Sequence, residues 1–195
     1  MSRITEQLSP SITNLIRMDH AQVVAGFHQY SLADPSGGRR ALAQALCLNL
    51  EIHAQLMEEI FLPALHGVGR DRDVLAQSQG ELHAIRAGIA DLRTMQAIDP
   101  LFEQSLMQTM RTALHYFADL ETILLPDAEF LLADRLGELG AQMLKRRLML
   151  TAPRAGEIAY TTLRSLPTST MMLAAGSLLA GGYLFKHRRG TQWHG

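Results

Sequence analysis

Four stretches of this chain place their apolar residues three to four positions apart, the spacing of a helix with one buried face. In the first, Ile12, Leu15, Ile16, Val23, Val24, Phe27 and Tyr30 form the stripe. Ser9-Pro10 offers a capping residue and then proline at the first helical position, and LADPSGG closes the stretch as a turn cluster. The second runs from about Arg39 to Leu62, where Pro63 and the following HGVG are expected to end it. The third, from about Asp71 to Ala97, sets Val74, Leu82, Ile85, Ile89, Leu92 and Met95 on one side. The fourth opens at Asp99-Pro100 and aligns Phe102, Leu106, Met107, Met110, Leu114 and Phe117. Pro126 interrupts it, and a further helical segment from about Asp127 to Leu150 is expected to turn Leu131, Leu132, Leu136, Leu139, Met143 and Leu144 inward. Strand-like alternation is absent. The pattern predicts an all-α fold: an up-and-down four-helix bundle with an additional C-terminal helical segment, together spanning residues 1–150.

From Thr151 the texture changes. Residues 151–167 hold two prolines and little periodicity, and read as a linker. Residues 168–195 form a hydrophobic tail: Thr168 to Phe185 carries no charge, and Lys186, His187, Arg188 and Arg189 follow as a basic end. Eighteen helical residues would extend about 27 Å against a hydrocarbon core of about 30 Å. Gly176 with Ala180, and Ser177 with Gly181, have the small-x-x-x-small spacing that lets membrane helices approach closely. The tail is therefore expected to associate with a membrane.

Composition narrows the function classes. Of 195 residues, 47% are hydrophobic and 19% charged, which suits a packed core rather than a disordered chain. A net charge of −1 argues against a nucleic-acid surface. Cys47 is the single cysteine, so an internal disulfide framework and a thiolate cluster are both excluded. MSRITEQLSP contains no apolar run of the secretory kind, and the expected location is cytoplasmic, with attachment to the inner membrane through residues 168–185. Neither a nucleophile–base pair nor a phosphate-binding glycine loop is evident, so the sequence makes no positive case for an enzyme.

The candidate chemistry lies in the histidines. His20 falls between Ile16 and Val23 on the first stripe, with Asp19 beside it, and His53 shares a face with Leu46, Leu50, Leu56, Met57 and Ile60. His83 sits about one position off the third stripe, and His115 with Asp119 runs along one edge of the fourth. A polar ring on an apolar face costs free energy unless something binds it. Four inward histidines on four successive helices, with one carboxylate at i, i+4, suggest one shared metal site: His20, His53, His83, His115 and Asp119. Nitrogen and oxygen donors without thiolate suit iron, manganese or zinc. Two stretches also repeat a layout, HAQLMEEIFLP from His53 to Pro63 and HYFADLETILLP from His115 to Pro126. His28, His66, His187 and His194 are weaker candidates, and Glu121 is a second inward carboxylate only if something pairs with it.

Asp19-His20, the His53–Leu65 stretch, Glu81-Leu82-His83 and His115-x-x-x-Asp119 ahead of Pro126 together resemble the hemerythrin-like HHE cation-binding family, over roughly residues 10 to 130. The resemblance implies a four-helix bundle with a non-haem di-iron centre. It also implies binding or sensing of oxygen, nitric oxide or peroxide. One departure stands out: the family places a metal-bridging glutamate four residues after the second-helix histidine, and this chain has Met57 there. Glu58 is rotated by about 100° from that direction unless the helix is distorted. The expected centre is therefore di-iron or, with the bridge lost, mono-iron. The contrasting reading is a metal-free helical bundle serving as a membrane-associated interaction module.

Overall fold

The protein was analysed as a computed structural model that describes residues 10–34, 38–95 and 99–154. Every regular element among them is helical: α1 (Ile12–Leu32), α2 (Arg39–Leu56), α3 (Leu62–Gly67), α4 (Arg72–Thr94), α5 (Pro100–Asp119), α6 (Leu125–Leu131) and α7 (Leu136–Thr151). A π-helical turn, Met57–Phe61, joins α2 to α3, and a second, Leu120–Leu124, joins α5 to α6. The four antiparallel rods are thus α1, α2–α3, α4 and α5–α6, and α7 lies across α1, α2 and the first π turn. The all-helical bundle expected from the periodicity is the observed fold. The tail, residues 168–195, lies outside the described residues.

Local chemistry sets the ends. Asp99 caps α5 by accepting a hydrogen bond from the Leu101 N–H at 2.8 Å, with Pro100 in the first turn as the spacing predicts. Asp71 does the same for α4 through the Asp73 N–H. The cap of α1 is Ser11 rather than Ser9, because the Ser11 hydroxyl accepts from the Asn14 N–H. Here the chain also passes so close to α7 that a Cβ at Gly140 would collide with the Pro10 carbonyl oxygen. The helix carrying His53 does not stop at Pro63. In the π turn the Leu62 N–H donates to the Met57 carbonyl five residues back, and the rod continues through the proline to Gly67. It ends where Gly69 takes φ of 79°, with Arg70 N–H donating to Leu65 and Gly69 N–H to His66.

The core joins Ile12, Ile16, Leu46, Leu50, Leu56, Phe61, Leu82, Ile85, Leu106 and Tyr116 from all four rods. Leu139 and Met143 of α7 complete it. Several residues expected to point inward do not: Val24, Leu114, Leu131 and Leu144 are exposed. Val24 and Leu114 sit beside true core positions, Val23 and Ala113, and a single-residue step turns a helix by about 100°. Leu131 and Leu144 likewise sit one residue from buried positions, Leu132 and Met143.

Candidate metal centre

His20 from α1 and His53 from α2 meet inside the bundle. They are 5% and 2% exposed, and their ring centroids lie 5.2 Å apart at 63°. Each imidazole is held at Nδ1 by a carboxylate, and each carboxylate is held in turn by an arginine. His20 Nδ1 lies 2.8 Å from Glu121, whose other oxygen accepts from Arg17 at 3.3 Å. His53 Nδ1 lies 3.4 Å from Asp19, which also accepts a hydrogen bond from Arg147 of α7. An ionised carboxylate only accepts, so both Nδ1 atoms carry the proton, and in the neutral form of each ring Nε2 presents the lone pair. Neither Nε2 has a hydrogen-bond partner, and both are buried. Burial, and after it the nearby His53, push the His20 imidazole down to about 4, against the opposing pull of Glu121. At neutral pH this ring is uncharged, the form that binds metals.

The surroundings of the pair are apolar. Phe117 stacks on His20 at 4.0 Å and stands edge-on to His53 at 5.3 Å, and Tyr116 stands edge-on to His53 at 6.1 Å. Met57, one turn beyond His53, is fully buried. The π turn does distort the helix, yet it brings neither following glutamate inward. Glu58 bonds Arg86 at 2.8 Å, and Glu59 makes two bonds to Arg146 that hold its carboxyl down to about 2.

The other sequence candidates lie elsewhere. His83 is exposed, and the His115 side chain is 73% exposed. Neither joins His20 and His53 in the core, which corrects the expectation that all four histidines point inward. His115 Nδ1 instead faces Asp119 at 3.5 Å on the surface of α5, next to Glu81 of α4. The π turns explain the misreading. They start six residues ahead of Pro63 and Pro126, so Met57 corresponds to Leu120 and Glu58 to Glu121. On that register the counterpart of His53 is Tyr116, ten residues before its proline as His53 is before Pro63, and His115 is one residue out. The same register explains Glu121, which enters the site because His20 and Arg17 both pair with it.

The sequence profile of the Hemerythrin HHE cation binding domain matches residues 11–126. The chain belongs to this family. A solved structure from Mycobacterium kansasii, a hemerythrin HHE cation binding domain-containing protein, superposes with a TM-score of 0.63. It covers 80% of this chain and 99% of its own, at 19% sequence identity, and so supports the fold. A comparison with curated proteins returned no match. Within the HHE family the fit of this chain to a metal is partial. Two buried imidazole nitrogens without a partner are donors of the kind a metal takes, on rings whose centroids lie 5.2 Å apart. A dinuclear centre does not fit, because Met57 stands where the bridging glutamate is expected and Phe117 closes the other side of the pair.

Proposed function

We propose that this HHE-family bundle binds a single metal ion, iron, through Nε2 of His20 and Nε2 of His53, and meets oxygen, nitric oxide or peroxide there without turning over a substrate. The observation that carries this reading is the pair of buried Nε2 atoms with no partner. Leaving a buried acceptor unpaired costs about 1–3 kcal/mol, and a shared electrophile relieves both at once. Iron held there would supply coordination positions beyond those the protein fills, open to a small diatomic ligand. The protein's own part is orientation. Glu121 and Asp19 keep the proton on each Nδ1, Arg17 and Arg147 fix those carboxylates, and Phe117 and Met57 keep bulk water from the rings. Anaerobic loading with ferrous iron, followed by metal analysis and an optical spectrum, tests the reading. We expect at most one iron per chain, lost in both His20→Ala and His53→Ala and retained in His66→Ala. Equal iron in all three variants would overturn it.

The second reading, a metal-free bundle acting as a membrane-associated interaction module, is favoured by the Phe117–His20 stack and the buried Met57, which resemble a closed core. Under it, iron and chelators leave the melting temperature unchanged, and His20→Leu with His53→Leu raises it. Among the described residues no helix is long and apolar enough to cross a membrane. The membrane part of this reading therefore rests on residues 168–185. Fractionation of the full chain beside one stopped at Pro167 tests it, and recovery of both without detergent rejects it.

A further inference from the structure

We propose that Glu81, His115 and Asp119 form a second cation site on the surface, separate from the core histidines, which takes one divalent transition ion of the zinc kind. Each offers one ligand atom, and the three atoms lie within 4.8 Å of one another. They come from two rods: Glu81 from α4, and His115 with Asp119 one turn apart on α5. These two helices are in close contact, for a Cβ on Gly88 of α4 would strike the hydroxyl of Thr109 on α5. The backbone therefore holds the donors near one another without the ion.

The donor set decides the class of ion. One imidazole and two carboxylates match the nitrogen and oxygen ligands of zinc, with a fourth position left to water. Calcium takes six to eight oxygens and magnesium an octahedral oxygen shell, and an imidazole serves neither. Zinc bonds of about 2.0–2.1 Å place tetrahedral ligands roughly 3.4 Å apart. Closing from 4.8 Å thus asks only for side-chain rotation, which an exposed histidine and two partly exposed carboxylates allow.

Charge gives an independent reason. Carboxylates that face another helix in this bundle are held by arginine: Glu51 by Arg93, Glu58 by Arg86, Glu59 by Arg146, Asp127 by Arg70 and Glu129 by Arg17. Glu81 and Asp119 face each other across α4 and α5 with no arginine or lysine partner among the described residues; Gln77 and His115 are their neighbours. Two adjacent carboxylates without an arginine or lysine between them repel each other, and a divalent ion between them reverses the sign of that interaction.

The test is calorimetric titration of zinc chloride into the full-length, metal-stripped protein, with melting followed in parallel. Wild type and His53→Ala should both bind this zinc and both melt higher with it. His115→Ala should weaken that binding at least tenfold, Glu81→Gln and Asp119→Asn should weaken it several-fold, and all three should lose the zinc-dependent rise in melting temperature. The three positions are partly or fully exposed, so the variants should melt like wild type without zinc. Zinc affinity unchanged in His115→Ala and Glu81→Gln, or lost in His53→Ala alone, would overturn the proposal.

Discussion

The His20 imidazole illustrates how one residue couples site and stability. Its ordinary value of 6.5 falls to about 4 in the folded chain. Between those values the unfolded chain takes up a proton that the folded one refuses, so folding stability is intact above about 6.5 and declines as pH falls toward 4. The whole interval amounts to something on the order of 3 kcal/mol. Urea unfolding at pH 7.5 and pH 5 should show this slope in metal-free wild type and a shallower one in His20→Gln. An equal slope in both would place the pH dependence elsewhere. If iron binds the core pair, Asp19→Asn and Glu121→Gln should each weaken it about 10–100-fold in chelator competition, because they orient ligating rings rather than touch the metal. His20 and His53 were legible in the sequence because both sit squarely on apolar stripes. His115 was misread because its i, i+4 partner Asp119 looked like a ligand pair, whereas counting ten residues back from Pro126 lands on Tyr116. Glu121 was legible only as a costly buried acid. The arginine that makes it affordable, Arg17, lies 104 positions away, a distance that local spacing does not reach.

At the scale of elements, the prolines were the deceptive signal. Pro63 reads as a helix end and Pro126 as an interruption, yet each follows a π turn whose last hydrogen bond spans five residues rather than four. The wider turn leaves room for a proline ring and for the missing N–H, so the rods continue. Glycines give a sharper test of how the rods pack. Gly80 lies mid-helix in α4 with no atom near a prospective Cβ, and Gly140 lies against the Pro10 carbonyl. Gly80→Ala should stabilise the fold by about 0.5–1 kcal/mol through helix propensity. Gly140→Ala should destabilise it by about 1–3 kcal/mol, because backbone must move. Chemical unfolding of both variants checks the pair, and similar effects would mean that α1 and α7 are not in contact at this point.

At the scale of the molecule, the family match ends at residue 126, yet the folded unit extends further. Helix α7 contributes Leu139 and Met143 to the core and Gly140 to the start of α1. It also reaches the other rods with two arginines, Arg146 to Glu59 and Arg147 to Asp19. The last of these fixes the carboxylate behind His53, so α7 belongs to the candidate centre as well as to the core. Its apolar stripe was legible in the sequence, but its tie to Asp19 was not, because 128 residues separate the partners. Two fully buried side chains of this size contribute about 3–6 kcal/mol together, a large share of the roughly 5–15 kcal/mol that holds a domain folded. A chain ended after Ala133 should therefore melt at least about 10 °C below one ended after Arg154, and should lose any iron held by the core histidines. Circular dichroism melts of the two truncations beside the full chain make the comparison. If the shorter chain unfolds cooperatively at the temperature of the longer one, α7 is an appendage and Arg147 has no part in orienting His53.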